Sequence, residues 1–359
     1  MIASAHIIGG GALGGAELFY VRLVNALQAR QQPVLAINIP GSQVSARLQA
    51  AVSQLHVPMR GIWDLPSRWR IGAILRQHQP DIVQTYMGRA TRLTHTDRNR
   101  RPIHIARLGG YYDLKGYRHA HAWVGNTRGI CDYLVQNGLP AARIAHIGNF
   151  VDIPIASSPE ALAEVRRRLN IPDDALILVA VGRLHPVKGF EDLLAALALL
   201  GDSLDDRPLH LIIVGDGPLN AKLRCHAHQL GVADQVRWVG WQLDPHLYYE
   251  LADLFVCPSR YEPLGNVILE AWAHGRAVLS TQTAGALELI AHGEEGWLVP
   301  CQQPQALADA LRLLLADPSL REPLAAKGRA KVQQHYSQQH IVSAYLELYQ
   351  RLLAGSQSS

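Results

Sequence analysis

The stretch HIIGGGALGGAELF, residues 6–19, has an apolar run before a glycine-rich turn and a helix-like run after it. Gly9, Gly11 and Gly14 match the G-x-G-x-x-G pattern of dinucleotide-binding folds, which is weak evidence on its own. Residues without a Cβ let backbone N–H groups approach an anion at the start of the following helix. The stretch therefore predicts a strand–turn–helix unit of a parallel sheet, with a phosphate near the turn.

The strand that follows this unit tests the dinucleotide interpretation. A nicotinamide site needs an acidic residue about 20 residues further on, at the end of that strand, to hold the ribose hydroxyls. Here the strand reads VLAINIP and its end carries Asn38. An NAD-dependent dehydrogenase is therefore the weaker alternative, and we retain only a phosphate near the glycine turn.

Length and composition describe a globular protein of about two domains. The chain has 359 residues, of which 48% are hydrophobic and 18% are charged. The cysteines at 131, 225, 257 and 301 have no metal-ligand spacing, which predicts reduced core thiols in a cytoplasmic protein. Neither a signal peptide nor an apolar run near the roughly 18 residues of a membrane-spanning helix is expected.

Charge is distributed unevenly along the chain. Residues 1–153 carry 17 lysines and arginines against 7 acids, whereas residues 154–359 carry 17 against 23. One interpretation of the basic first part is a solvated surface. The other is a partner that is anionic, such as a membrane surface or a phosphorylated acceptor. Nucleic acid is not expected, because no recognition motif is present and aromatic residues make up only 6%.

Short apolar runs alternate with longer amphipathic runs, which predicts an α/β fold of two doubly wound domains joined near residues 151–173. Strands are predicted at 2–8, 33–39, 82–85, 103–108, 122–125, 144–148, 176–181, 210–214, 236–238, 254–257 and 277–280. Helices are predicted at 15–30, 71–77, 190–200, 219–230, 245–251, 267–274, 284–290, 305–316, 321–335 and 341–353.

The stretch VAVGRLHPVKGFEDLLAAL, residues 179–197, carries two cations in one turn. An apolar strand ends at Gly182, the turn contains Arg183 and Lys188, and a helix starts near Phe190. Arginine can bond two phosphate oxygens in a fork, while lysine supplies a point charge. This turn at the carboxyl end of a strand therefore predicts a clamp for a diphosphate.

The stretch VCPSRYEPLGNVILEAWAHGRAVLST, residues 256–281, carries two acids eight residues apart. Glu262 lies on a loop after a strand, and Glu270 lies about one turn into the next helix. The N-terminus of that helix offers N–H groups and a partial positive charge. Two such carboxylates can bind hydroxyls on two parts of one extended ligand.

Together these motifs resemble those of the GT-B glycosyltransferases of family 4, which are retaining enzymes that use nucleotide sugars. The resemblance rests on Arg183-x4-Lys188, VGDGP at 214–218, VGW at 239–241 and Glu262-x7-Glu270. GGGALGGAE at 9–17 and HIGNFVD at 146–152 match more loosely. Lipopolysaccharide-core hexosyltransferases are the most similar kind, and a nucleotide-sugar epimerase of the same fold is the alternative.

The resemblance implies a role for each matching residue. Arg183 and Lys188 would bind the donor diphosphate, Glu262 the hydroxyls of the transferred sugar and Glu270 those of the ribose. The remaining donor-binding residues would be Gly14, Gly15, Gly182, Leu264, Gly265, Asn266, Gly240 and Trp241. UDP is favoured as the nucleotide and GDP stays open.

The resemblance also implies the domain organisation. Residues 1–153 would form the acceptor domain and residues 154–336 the nucleotide-sugar domain, facing each other across a cleft. A helix within 337–359 would pack back on the first domain. The absence of a D-x-D motif favours metal independence. No resident cofactor is expected either, because the nucleotide sugar is a substrate. The acceptor would be a glycan or glycolipid, with the protein peripheral at the inner face of a membrane.

One segment departs from the family pattern. Many relatives have a histidine or an acid just after the strand that here reads PIHIARLGGYYD, where this chain has Leu108, Gly109 and Gly110. Asp113 is the nearest acid and becomes the acceptor-side and catalytic candidate. His119 and His121 are further candidates, with exposed helix histidines as the alternative; His185 is either a donor contact or a loop residue.

Overall fold

The computed structural model describes residues 1–97 and 101–355, which form two compact units. The first unit comprises Met1–Phe150 together with the chain from Gln338 onward, and the second comprises Val151–Ser337. Each unit is built on a mainly parallel sheet with crossover helices. The predicted α/β class with two doubly wound domains is therefore confirmed.

The first unit contains strands β1 (Ser4–Ile8), β2 (Val34–Asn38), β3 (Ser53–His56), β4 (Ile82–Tyr86), β5 (Ile103–Leu108), β6 (Ala122–Gly125) and β7 (Ile144–His146). Its connecting helices are α1 (Gly15–Ala29), α2 (Leu65–His78), α3 (Met87–Leu93) and α4 (Arg128–Gln136). The strands form one parallel sheet in the order β3-β2-β1-β4-β5-β6-β7.

The second unit begins with helix α5 (Pro159–Arg168). Its strands are β8 (Leu176–Val181), β9 (Ser203–Leu204), β10 (Arg207–Val214), β11 (Val236–Gly240), β12 (Leu254–Cys257), β13 (Val278–Thr281) and β14 (Trp297–Val299). Its further helices are α6 (Phe190–Leu200), α7 (Asn220–Gln229), α8 (His246–Leu251), α9 (Asn266–Ala273), α10 (Ala284–Leu289), α11 (Pro304–Ala316) and α12 (Pro318–His335). The order is β11-β10-β8-β12-β13-β14, and β9 pairs antiparallel with β10.

Both faces of the central strands, such as β1 and β8, are buried, which explains their continuous apolar sequences. In β1, Ala5 and Ile7 pack in a core with α2 and α3, while Ile8 packs in another core with α1. In β8 the side chains divide in the same way, with Leu178 in one core and Val179 in the other. A strand that packs on both faces is fixed in register by its helices.

The strand order reverses in the middle of each sheet. The reversal lies between β1 and β4 in the first unit and between β8 and β12 in the second. At such a position the loops after the two strands diverge and open a crevice, where doubly wound folds bind their ligands. In the second unit these two loops carry the predicted residues Arg183, Lys188 and Glu262.

Most predicted elements agree with the structure, and several match to the residue. Edge strand β3 was not predicted, because its sequence SQLH lacks an apolar run and its side chains are partly exposed. Helix α2 begins six residues before the predicted start at 71. Its first turn is capped by Asp64, whose side chain accepts the Ser67 N–H, and it exposes Leu65 and Trp69.

Helix α13 (Gln338–Gly355) completes the first unit. Tyr345 and Tyr349 are fully buried there. The Tyr349 hydroxyl donates to Gln84 Oε1 at 2.7 Å, and the Tyr345 hydroxyl accepts from Arg107 Nε at 3.1 Å. The Arg107 guanidinium also lies 3.9 Å from the centre of the Phe19 ring. The aromatic stripe of the last helix is therefore a packing surface, as its spacing indicates.

The cysteine interpretation needs a correction. All four cysteines are free, but only Cys257 is buried, and Cys225 is exposed. Cys225 lies on α7, whose solvent-facing side is polar. Separately, no helix within the described part of the chain is long and apolar enough to cross a bilayer.

We predict that Tyr349→Phe destabilises the first unit, because Gln84 then loses a buried hydrogen bond. The expected loss is about 1–2 kcal/mol, which corresponds to a melting temperature lower by a few degrees. Differential scanning calorimetry measures the shift. Tyr261→Phe is the matched control, since Tyr261 is 50% exposed. Equal melting temperatures for the two variants would contradict the prediction.

Candidate active site

The turn after β8 is held by backbone contacts. The Gly182 N–H donates at 2.9 Å to the carbonyl of Val214, the last residue of β10, and the Leu184 N–H donates at 3.0 Å to that of Asp216 in the loop that follows. A Cβ at Gly215 would lie 1.9 Å from the Gly182 carbonyl oxygen, and one at Gly217 would lie 2.5 Å from that of Leu184. Gly215 also has a φ of +145°. The two glycines of VGDGP are thus required to seat the cation turn.

The two cations of this turn have different environments. Arg183 is exposed, and its side chain forms no ion pair or hydrogen bond with any residue in ranges 1–97 and 101–355. Lys188 is half-buried and lies over Gly182. Its Nζ donates to Oε2 of Glu262 in a short contact. The structure therefore brings Lys188 and Glu262 together and leaves Arg183 open to solvent.

Lys188 keeps its charge in this environment. Burial by itself lowers the pKa of Lys188, but Glu262 and the sulfur of Cys257 outweigh it, so the pKa is raised above its ordinary value. Burial, reinforced by Glu262, likewise raises the pKa of the Cys257 thiol. At neutral pH this edge therefore presents a lysine cation beside a neutral thiol.

The loop after β12 has a shape that depends on two glycines. Gly265, with a φ of +93°, occupies the N-cap position of α9. The N–H of Gly285 donates to the Glu262 carbonyl at 2.9 Å. A Cβ at Gly285 would lie 2.4 Å from the Leu264 carbonyl oxygen. The segment from Glu262 to the start of α9 is thus held against the first turn of α10.

Glu270 is oriented by a residue that the sequence analysis missed. The Tyr249 hydroxyl, on α8, donates to Glu270 Oε2 at 2.9 Å. The Tyr249 ring is buried and stacks on His274, whose Nδ1 donates to the Glu270 carbonyl at 2.6 Å. Tyr249 and Glu270 are 21 positions apart on different helices, so no local spacing pattern could have revealed the contact.

The predicted donor-binding residues Gly240 and Trp241 lie at the same edge of the second sheet. Gly240 ends β11 with a φ of +72°, and its carbonyl accepts the Gly215 N–H at 2.8 Å. Trp241 follows it and is 57% exposed. His185, whose role was left open, accepts the Val187 N–H at 3.5 Å and acts as a loop cap.

The glycine turn of the first unit contains a carboxylate of the protein itself. Gly14 is the N-cap of α1 and Gly15 is its first residue. The Glu17 side chain is buried under the turn, where a Cβ at Gly10 would lie 2.1 Å from Glu17 Oε1. Burial raises the pKa of Glu17, while the N–H groups of Glu17 and Gly14 oppose the shift. The Glu17 carboxylate thus accepts a hydrogen bond from the N–H of the N-cap residue Gly14, a contact that the sequence pattern did not predict.

We predict that Glu17→Gln stabilises the protein more at pH 7 than at pH 4. Because the folded state raises the pKa of this acid, its stability contribution is present below the unfolded pKa and is lost as pH rises through the folded one. A neutral glutamine avoids that loss. Melting temperatures of wild type and variant at both pH values test this.

Glu160→Gln is the control for this prediction. Glu160 lies in the first turn of α5, and hydrogen bonds from its own N–H and from Ser158 lower its pKa. Its removal should therefore act in the opposite direction and cost stability at pH 7. If the difference in melting temperature between Glu17→Gln and wild type does not change with pH, burial of the Glu17 charge carries no cost.

The side chain of Asn38, which stands where a dehydrogenase would need an acid, bonds to other residues of the protein. Its Oδ1 lies 2.8 Å from His56 Nδ1, and its Nδ2 donates to Gln54 Oε1 at 3.2 Å. The side chain is fully buried. Asn38 therefore bridges β2 and β3.

The acceptor-side candidates lie in the first unit and have different roles. Asp113 lines a cavity, has a side chain that is 61% exposed, and lies 3.8 Å from Arg92. His119 points Nε2 at two backbone carbonyls. His121 is buried and accepts the His104 N–H at 2.7 Å. The interpretation of His119 and His121 as exposed helix residues is wrong, because both lie in the compact segment between β5 and β6.

The predicted residues thus fall into two groups. The second unit brings Lys188 and Glu262 into contact and carries Arg183, Gly182, Leu264, Gly265, Asn266, Glu270, Gly240 and Trp241 on the loops and helices at one edge of its sheet. Gly14, Gly15 and Asp113 belong to the first unit. Within the described ranges, no three His, Cys, Asp or Glu side chains are placed to hold a metal ion.

Family models match both units. Residues 13–154 match the model described as Glycosyltransferase Family 4, and residues 163–331 match the one described as Glycosyl transferases group 1. The chain is 31% identical over 351 residues to the lipopolysaccharide core biosynthesis glycosyltransferase LpsD of Rhizobium meliloti (strain 1021), covering 96% of this chain and 97% of that relative. It is 33% identical over 338 residues to LpsE of the same organism, covering 93% and 95%.

Solved structures agree on the architecture. The structure of Anabaena Alr3699/HepE in complex with UDP and glucose has a TM-score of 0.82 at 20% identity, covering 97% of this chain and 99% of that chain. Fold, cation turn and matches together define a glycosyltransferase of the GT-B fold. The chain belongs to glycosyltransferase family 4. The epimerase alternative gains no support from LpsD or LpsE, which are both named as glycosyltransferases.

Proposed function

We propose that this glycosyltransferase moves a hexose from a UDP-sugar to a glycan or glycolipid acceptor, with retention of anomeric configuration, in lipopolysaccharide or envelope polysaccharide synthesis. The acceptor class is supported by the names of LpsD and LpsE, which cover nearly the whole chain. UDP is supported by the similar fold of HepE, whose structure contains UDP and glucose. The protein would act in the cytoplasm.

One observation carries this proposal: an open Arg183 in the same turn as Lys188, which is paired with Glu262. A donor diphosphate would bind Arg183 in a fork and draw Lys188 from its carboxylate. Glu262 would then accept hydrogen bonds from the sugar hydroxyls. Both charges of the resting ion pair are therefore re-partnered by one ligand, which limits the cost of breaking it.

The other donor contacts follow from the loops around this pair. Glu270, oriented by Tyr249, would hold the ribose hydroxyls. Backbone N–H groups of Leu264, Gly265 and Asn266 would face the sugar and phosphate, Gly240 and Trp241 the base, and Gly14 and Gly15 the diphosphate. Asp113 would serve the acceptor.

The reaction breaks the bond between the anomeric carbon and the diphosphate oxygen. The electron pair leaves with the nucleoside diphosphate, and positive charge develops on the sugar. The acceptor oxygen bonds the same face of the anomeric carbon, and its proton passes to the departing phosphate. Arg183 and Lys188 would lie where negative charge grows on the departing phosphate, which would lower the barrier. In this proposal they take the place of a metal ion, and no cofactor is needed.

We predict that Arg183→Ala weakens UDP binding roughly ten- to hundredfold, because a charge-assisted contact worth about 1.5–3 kcal/mol is lost. Lys188→Ala should have a similar effect. Isothermal titration calorimetry measures the affinities, after a thermal-shift comparison of UDP, GDP and ADP has established the base.

Arg167→Ala is the matched control, since Arg167 is an exposed arginine of α5 in the same unit. It should bind UDP as wild type does. EDTA should leave both binding and transfer unchanged. Wild-type affinity in Arg183→Ala, or loss of transfer in EDTA, would contradict the proposed roles.

We further propose that the first unit contacts an anionic membrane surface. Within eight residues, Ile62, Trp63, Leu65 and Trp69 are 39, 84, 52 and 71% exposed. Exposed arginines stand among them on α2, including Arg68 and Arg70. Exposed tryptophan beside arginine is the composition of interfacial helices, where rings enter the headgroup region and cations meet anionic lipid.

We predict that Trp69→Ser together with Arg70→Gln reduces flotation with vesicles that contain phosphatidylglycerol. Wild type should float at low salt and less at high salt, because the charges are screened. Leu313→Ser, an exposed apolar residue of the second unit, is the control. Equal flotation of all three proteins, or none by wild type, would exclude this surface.

A further inference from the structure

A cavity of about 370 Å³ lies in the first unit between the start of α2, the end of α3 and the segment after β5. Its volume falls within the range of small-molecule sites, about 300–1,000 Å³. Part of its wall is apolar and is formed by Ile62, Trp63, Leu65 and Leu93. None of the donor-binding loops of the second unit contributes to it.

The polar part of the wall carries a positive excess. Arg68, Arg92 and Lys115 line it, against Asp113 as the acid. His95 also lines it, but burial lowers its pKa, with His119 and Arg68 adding to the effect. His95 is therefore neutral at pH 7, and the three cations set the sign of the cavity.

Arg92 is held in place rather than free in solvent. Its side chain passes over Gly116, where a Cβ would lie 2.1 Å from Arg92 Nε. An Asp113 carboxylate oxygen lies 3.8 Å from the Arg92 guanidinium, and the Asp113 side chain accepts the Lys115 N–H at 3.0 Å. Only 29% of the Arg92 side chain is exposed. The guanidinium is thus preorganised, so that a ligand need not order it.

The end of α3 would otherwise repel an anion, because its last carbonyls carry partial negative charge. Two stacked histidines cover these carbonyls. His119 Nε2 donates to Thr91 and Thr94 carbonyls at 3.0 and 2.9 Å, and His95 Nε2 donates to the Arg92 carbonyl at 3.0 Å. The helix end beside the cavity is therefore paired within the protein.

We propose that this cavity binds a phosphate-bearing saccharide, and that the saccharide is part of the acceptor. That the saccharide is part of the acceptor rests on the proposed function. Arg92 and Lys115 would bind the phosphate, and the Trp63 ring would cover the apolar C–H face of a sugar. A phosphate on the acceptor would thus determine which glycans are used.

A saccharide explains the geometry better than a lipid headgroup does. A flat membrane is met by cations that project from the surface, as Arg70 does on α2. Arg92 instead lies over Gly116 with most of its side chain covered. A cation placed in this way serves a solute that enters the cavity.

Tryptophan fluorescence tests the proposal, with glucose 6-phosphate as the probe and Trp63→Phe to assign the signal. Glucose 6-phosphate should bind at least about tenfold more tightly than glucose or inorganic phosphate. Arg92→Gln should raise the Kd for glucose 6-phosphate about tenfold or more. Lys115→Gln, which changes an exposed side chain, is a second variant that should raise the same Kd. Arg70→Gln, outside the cavity, should leave the Kd unchanged.

Three results would overturn the proposal. The first is the absence of a fluorescence change when glucose 6-phosphate is added to wild type. The second is an affinity for inorganic phosphate equal to that for glucose 6-phosphate. The third is a loss of vesicle flotation in Arg92→Gln without any sugar-phosphate binding, which would indicate that the cavity binds lipid. A UDP thermal shift on the same samples separates the two hypotheses. Its absence in wild type would contradict the donor site, whereas its presence without sugar-phosphate binding would contradict only the cavity.

Discussion

At the carboxyl edge of the second sheet, the loops after β8, β10 and β12 pack backbone against backbone. Glycines occupy the contact positions, because a Cβ there would clash with a neighbouring carbonyl group. A Cβ at Gly215 would lie 1.9 Å from the Gly182 carbonyl oxygen, and one at Gly189 would lie 2.0 Å from that of Pro258. These contacts fix the loops after β8, β10 and β12 relative to one another. Arg183 and Lys188 therefore project from a rigid edge, and this short-range steric constraint determines where the charges of the proposed donor site lie.

Both of the predicted anion-binding places already hold a carboxylate of the protein. Glu262 contacts Lys188, and Glu17 lies under the glycine turn at the start of α1. A cation or helix end that is partnered in this way costs less to keep in the folded protein than an unpaired one. A phosphate ligand must then compete with an internal acid, so that affinity reports a difference between two partners and not a single attraction.

The fold could be predicted, and the proposed donor residues could be singled out, because their signals are local. Strands buried on both faces read as apolar runs, and Glu262 and Glu270 are separated by a fixed spacing within one loop and helix. Tyr249 and the edge strand β3 were missed for the opposite reason. The former acts across two helices, and the latter is polar because one of its sides has no neighbouring strand.

Helix α13 comes last in the chain yet completes the first unit, where Tyr345 and Tyr349 fill the core. During synthesis the second unit is contiguous and can fold as soon as it has emerged from the ribosome. The first unit is completed later, because the Arg107 and Gln84 side chains lack their tyrosine partners until α13 has been made. The first unit is therefore begun before the second but completed after it.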